Sequence, residues 1–159
     1  MIALTQARTI AHELYAVPPT PDGLLQALEN LADRTSERGI VCEFTGEPSI
    51  LMPNQMVASH LYRIAQEAVH NALKHSRATR IELELVRQPA GVELRIKDNG
   101  VGFPAATRSH GLGLHTMEQR ARLIGGQLTV LNQAQGGVAV VCLVPKAGLE
   151  MPDVADKVR

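Results

Sequence analysis

Glu67, Asn71 and Lys74 stand at spacings of four and three, which in a helix lines up a carboxylate, an amide and an ammonium on one face. An amide oxygen suits Mg2+ and an ammonium suits phosphate, so the set fits a ligand that carries both. The plain alternative is a solvated helix flank. A second set, Asp98-Asn99-Gly100-Val101-Gly102-Phe103, follows a strand-like run. Its glycines let backbone pass close to a ligand, and a carboxylate at a strand's end can accept a hydrogen bond from an exocyclic amine. An ordinary Asp-Asn-Gly turn would read the same way. The third set, Gly111-Leu112-Gly113-Leu114, opens a helical pattern that continues His115-Thr116-Met117-Glu118-Gln119-Arg120. Amides left free at a helix N-terminus, with no Cβ at two positions, can receive phosphate oxygens. The chain has no GxxxxGK[ST] run, which excludes an ordinary P-loop.

The elements that must position these residues can be read from periodicity. Val57, Leu61, Ile64, Ala65, Ala68, Val69 and Ala72 recur at helical spacing and predict a long central helix from about Pro53 to His75. Before it, Leu4, Ala7, Ile10, Ala11 and Leu14 mark a helix over 3–15, stopped by Pro18, Pro19 and Pro21. A second helix begins at Asp22 as N-cap and runs to about Arg34, and Ile40 to Phe44 reads as a strand turned by Gly46-Glu47-Pro48. After the long helix come strands at about 79–87 and 92–97, joined by Pro89-Ala90-Gly91 as an antiparallel hairpin. A helix over 111–124, closed by Gly125-Gly126, then precedes strands 127–132 and 138–144 around a Gly136-Gly137 turn. The tail after Pro145 is polar and expected to fray. The sum is an α+β fold: a two-layer sandwich of a mixed, mostly antiparallel sheet with helices on one face.

Composition bounds the function classes. With 16 basic against 16 acidic side chains, 45% apolar residues, two Phe, two Tyr and no Trp, the chain offers no electrostatic or stacking footprint for nucleic acid and none for an anionic membrane. At 159 residues one core is expected. Cys42 and Cys142 lie in apolar runs and read as small buried hydrophobes, which fits a reducing cytoplasm. No run approaches a membrane span or a secretory signal, so the expected location is cytoplasmic, including the cytosolic part of a membrane-anchored sensor.

The three sets together resemble the nucleotide boxes of sensor histidine kinase ATPase domains of the GHKL superfamily. Gln66-Glu67-Ala68-Val69-His70-Asn71-Ala72-Leu73-Lys74-His75 resembles the N box, Asp98 to Phe103 the first glycine box and Gly111 to Leu114 the second, in the same order over about residues 40–145. The stretch GLGLHTMEQRARLIGGQL is most similar to the nitrate-sensor (NarX-like) subfamily. The resemblance implies the GHKL fold, ATP and Mg2+ as ligands, and transfer of the ATP γ-phosphoryl group to a histidine on a dimerisation domain. It implies that Asn71 coordinates Mg2+ and that Glu67 positions or polarises a metal-bound water or the acceptor. Lys74 would approach the phosphates, with His75 bordering the site. Asp98 would bind the adenine amino group, Gly100 and Gly102 would shape the adenine pocket beside Phe103, and Gly111, Leu112, Gly113 and Leu114 would cover the phosphates. Residues 103–110 would form a short lid.

Gln6 to Leu14, followed by Asp22 to Leu28, resembles the end of a second dimerisation helix and its exit. The expected organisation is therefore a dimerisation remnant and linker at 1–35, an ATP-binding domain at 36–146 and a flexible tail at 147–159. His12-Glu13-Leu14 is not read as the phosphoacceptor, because only 59 positions separate His12 from Asn71 and prolines interrupt the helix that should follow. The acceptor histidine is expected on a dimerisation domain mostly absent from this chain, with homodimerisation and a response regulator in the intact system. One departure stands out: after Gly136-Gly137 the family usually carries Thr, whose hydroxyl helps bind adenine, and this chain carries Val138. That keeps a degenerate, non-catalytic GHKL regulator as an alternative, beside an anti-sigma-type serine kinase and a gyrase-like ATPase.

Overall fold

The computed structural model describes residues 16–52, 54–104 and 111–150. The helix expected over 3–15 with His12, most of the expected lid, and residues 151–159 lie outside the described residues.

The long apolar periodicity produces helix α2, Gln55–His75, with Val57, Leu61, Ile64, Ala65, Ala68, Val69 and Ala72 all buried. Its start is set by Asn54, whose side-chain oxygen accepts a hydrogen bond from the Val57 amide at 3.1 Å and so satisfies one of the unpaired amides of the first turn. Helix α1, Gly23–Ser36, precedes strand β1, Val41–Gly46. Strands β2, Arg80–Gln88, and β3, Gly91–Asp98, form the expected hairpin around Pro89-Ala90. Helix α3, Leu112–Leu123, ends in a left-handed Gly125 with φ of 67°, where the amides of Gly125 and Gly126 return to the carbonyls of Arg122 and Ala121. Strands β4, Gln127–Asn132, and β5, Val138–Pro145, complete the sheet.

The sheet order is β1-β2-β3-β5-β4. Only β1 and β2 run parallel, and α2 supplies the crossover that a parallel pair requires. Alternation along the strands buries Ile81, Leu83, Leu85, Leu94, Ile96, Val140, Cys142 and Val144 against the helices. The other face carries ion pairs: Arg80 with Glu43 and Glu82, Arg95 with Glu84 and Glu93, and Lys97 with Glu84. The exposed Arg80 pairs add little stability, whereas those of Arg95 and Lys97 are partly buried.

Two features stand at the ends of the sheet-and-helix core. The core runs through residue 35, because Leu24, Ala27, Leu28 and Leu31 of α1 are buried in the same apolar cluster as α2. After Pro145 the chain makes a helical turn, α4, Lys146–Leu149, and Gly148 is buried against the Ile124 carbonyl and Val144. No helix among the described residues is long and apolar enough to cross a membrane.

Candidate nucleotide site

Three separate stretches meet in one cavity of about 550 Å³ between α2, the end of β3 and the start of α3. Glu67, Asn71, Lys74 and His75 border it from α2, Asp98, Gly102 and Phe103 from the end of β3 and the loop after it, and Gly111, Leu112, Gly113 and Leu114 from the opening of α3. Of the three sets singled out by sequence, Asn99 and Gly100 do not line it. Gly100 bears on it from behind the wall, where a Cβ would collide with the Ser76 carbonyl and side chain. That close approach lets the Val101 amide donate to the Ser76 carbonyl at 2.8 Å, tying the loop to the C-terminus of α2.

The polar end of the cavity is built by a second close approach. A Cβ on Gly113 would overlap the Glu67 carboxylate and lie 3.5 Å from Asn71 Nδ2, so α3 begins directly against these two side chains. Gly111, the N-cap, offers no side-chain cap, which leaves the first-turn amides available there. A carboxylate and an amide beside free helix amides form a site for a hard cation completed by phosphate and water oxygens. Among the described residues no cluster of three or more His, Cys, Asp or Glu could hold a metal by itself. The protein groups present at this end are the Asn71 amide and the Glu67 carboxylate. That arrangement suits Mg2+, which keeps only one or two protein ligands.

The other end is apolar apart from one carboxylate. Ile96, Met117, Val138 and Val140 line it, and Asp98 is only 8% exposed. Asp98 Oδ1 accepts from the Gly100 amide at 2.8 Å, and no other hydrogen bond among the described residues reaches this carboxylate. A buried acceptor beside flat apolar walls suits a heterocycle with an exocyclic amine.

Several residues that sequence reading passed over complete the frame. Ser76 caps α2, and its hydroxyl donates to the Ala72 carbonyl at 2.7 Å. Gln133 Nε2 donates to the Asp98 carbonyl at 2.8 Å, and Asn132 holds the Phe103 backbone. Asn99, inside the second set, turns away from the cavity: its Oδ1 accepts from the amides of Thr79 and Arg80, both at 2.9 Å, and fixes the start of β2. His70, within the N-box stretch, also borders the cavity, whereas His110 lies outside the described residues.

Residues 56–148 match the family model described as histidine kinase-, DNA gyrase B-, and HSP90-like ATPase. The chain is similar to the nitrate/nitrite sensor protein NarX of Escherichia coli (strain K12), with 33% identity over 126 residues, covering 77% of this chain and 21% of NarX. It is also similar to the signal transduction histidine-protein kinase/phosphatase DegS of Brevibacillus brevis, 27% identical over 145 residues, covering 90% of this chain and 38% of DegS. The chain thus spans about a fifth to two fifths of these relatives. Among solved structures it is similar to the ATP binding domain of PrrB from Mycobacterium tuberculosis, with 30% identity, a TM-score of 0.59, and coverage of 74% of this chain and 90% of that one. A histidine kinase domain from Erythrobacter litoralis EL346 shares the fold at 19% identity, with a TM-score of 0.67 and coverage of 82% of this chain and 65% of that one.

Proposed function

Since the chain belongs to the family of histidine kinase-, DNA gyrase B-, and HSP90-like ATPases, we propose that it is the ATP-binding catalytic domain of a two-component sensor histidine kinase. Its reaction is transfer of the γ-phosphoryl group of ATP to a histidine on a dimerisation domain, with a response regulator as the next acceptor. The observation that carries this reading is the meeting of Glu67 and Asn71 with Gly113 in the cavity that also holds Asp98. One end has the chemistry of a metal-bound triphosphate and the other that of adenine. The likeness to NarX, DegS and the PrrB ATP-binding domain supports the kinase assignment over other branches of the family.

Asp98 accepts a hydrogen bond from the adenine amino group while Gly100 holds its other oxygen. Ile96, Met117 and Val140 exclude water from the ring faces. Lys74 and the opening amides of α3 at Gly111 to Leu114 neutralise the phosphates, and His75 borders them. Asn71 and Glu67 would hold Mg2+, which when bound supplies charge neutralisation on the transferring group. Phosphoryl transfer needs positioning and electrostatic stabilisation more than covalent help, and these residues offer both. The proposed ATP-binding domain is residues 36–146, and α1 packs in the same apolar cluster as α2.

The test is Asn71→Ala, assayed with a separately supplied dimerisation domain. Transfer from MgATP should fall by about 100-fold or more, while the melting temperature stays close to wild type because Ala is the better helix former. Undiminished transfer in that variant would refute the assignment. Val138 favours a second reading, a regulator that has lost nucleotide binding. Calorimetry of the wild-type chain with ATP and Mg2+ separates the two, since such a regulator would give no heat of binding.

A further inference from the structure

A larger cavity, about 840 Å³, runs over the helix layer between α1, α2 and α3. Four guanidinium groups border it: Arg34 and Arg38 at the end of α1, Arg63 on α2 and Arg120 on α3, against two carboxylates, Glu37 and Glu67. Leu31, Val69 and Leu73 supply apolar walls between them. The chain as a whole has no net charge, so this excess is local.

Three of these cations, Arg34, Arg38 and Arg120, have no acidic partner among the described residues. Every ion pair among the described residues lies on the far face of the sheet, and none engages Arg34, Arg38 or Arg120. The groups that aim them are neutral. Arg34 Nη2 donates to the Tyr62 hydroxyl at 2.9 Å, and Arg120 Nη1 lies 3.5 Å from His60 Nδ1. Burial, and then the charge of Arg120, hold the His60 ring below its usual pKa, which favours its neutral form. Guanidinium forks fixed by neutral partners keep their charge for a ligand, and their planar geometry matches carboxylates two hydrogen bonds at a time.

We propose that this groove docks an amphipathic, acidic segment of a partner protein, with carboxylates on Arg34, Arg38 and Arg120 and apolar side chains against Leu31, Val69 and Leu73. A single small anion would leave the apolar walls at Leu31, Val69 and Leu73 uncovered. No Phe, Tyr or Trp among the described residues lines it, and His70 is its single aromatic ring there, which disfavours a nucleic acid. The chain's own ends do not supply the charge. Residues 1–15 carry Glu13 against Arg8, and residues 151–159 carry Asp153 and Asp156 against Lys157 and Arg159. Glu67 and His70 border both cavities, so a docked segment would end beside the proposed phosphate site. In that one respect the inference rests on the kinase reading.

The test uses the full chain and a synthetic amphipathic helical peptide of about five turns, made with Glu on its polar face, and again with Gln or Lys. The Glu peptide should bind about tenfold more tightly than the Gln peptide at low salt, and the advantage should shrink as salt rises. NMR shifts should move at Leu31, Val69 and Leu73. Arg38→Glu with Arg120→Glu should abolish the preference and favour the Lys peptide. Arg38→Gln with Arg120→Gln, a milder pair, should equalise the Glu and Gln peptides. Equal binding of the Glu and Gln peptides to wild type, or a preference that survives charge reversal, would overturn the proposal. So would a single-stranded oligonucleotide that displaces the peptide at equal concentration, or acidic-peptide binding that appears only after deletion of residues 1–15. ATP calorimetry on the same samples keeps the two readings apart: ATP binding without the peptide preference sinks the groove alone, and the reverse result sinks the kinase reading alone.

Discussion

Asn132, the last residue of β4, satisfies both backbone groups of Phe103. Its Oδ1 accepts from the Phe103 amide at 2.8 Å and its Nδ2 donates to the Phe103 carbonyl at 3.0 Å. The pair links the end of an edge strand to the loop that closes the cavity, across 29 positions of sequence. Both hydrogen bonds are exposed, so their joint contribution to stability is about 1–2 kcal/mol.

Asn132→Ala should therefore lower the melting temperature modestly and weaken ATP binding several-fold, because Phe103 and Gly102 lose their anchor. Asn132→Asp keeps only the acceptor and should fall between the two. Thermal melts and calorimetry read the two effects. Unchanged nucleotide affinity in the Ala variant would confine the pair to a structural role.

Gly113→Ala and Gly100→Ala should fail in different ways. The Cβ at 113 meets the end of a movable side chain, Glu67, whereas the Cβ at 100 meets the Ser76 backbone carbonyl. Gly113→Ala is expected to melt near wild type yet lose ATP-dependent transfer by about 10- to 100-fold, as the Glu67 carboxylate is displaced while Asn71 stays in ordinary contact. Gly100→Ala is expected to cost about 2 kcal/mol or more of stability, as backbone must shift. Denaturant unfolding of both, beside a transfer assay, distinguishes them.

Val138→Thr should tighten ATP binding. Val138 lines the adenine end of the cavity, where the resembling ATPase domains usually place a Thr hydroxyl. One recovered hydrogen bond is worth about 1 kcal/mol net, several-fold in Kd. Calorimetry of the two proteins under identical Mg2+ checks it, and a loss of affinity would show that the hydroxyl finds no partner here.

Stability should fall with acid partly through His60. Burial and the neighbouring Arg120 charge lower its folded-state pKa below the ordinary 6.5, so between the two values the unfolded chain binds more protons than the folded one. Its contribution is thus intact above the unfolded pKa, declines as pH falls through 6.5, and levels off below the folded value. His60→Gln, compared with wild type by urea unfolding between about pH 7.5 and pH 5.5, should flatten that part of the profile.

The sequence by itself determined the local elements and the chemistry on offer. A seven-residue apolar stripe from Val57 to Ala72 specifies α2, and alternation specifies β2 and β3, because each pattern fits only one backbone period, whereas β5 is a continuous apolar run read as a strand from its length and its Gly136-Gly137 turn. The residues at 67, 71, 74, 98 and 111–114 were legible because their types are costly to explain in sets, and all of them border the cavity.

Only the tertiary structure decided what meets what. No period reveals that β5 lies between β3 and β4, that α1 packs in the same apolar cluster as α2, or that Asn54 caps α2. Ser76, Asn132 and Gln133 escaped notice because isolated polar residues near element ends look alike in sequence, and their partners lie up to 35 positions away. The arginine groove has the same origin: Arg34, Arg63 and Arg120 sit far apart in sequence, and packing three helices side by side gathers their charge. Periodicity records which face of an element is buried, whereas its neighbours are set by the shapes and volumes that fill the core together.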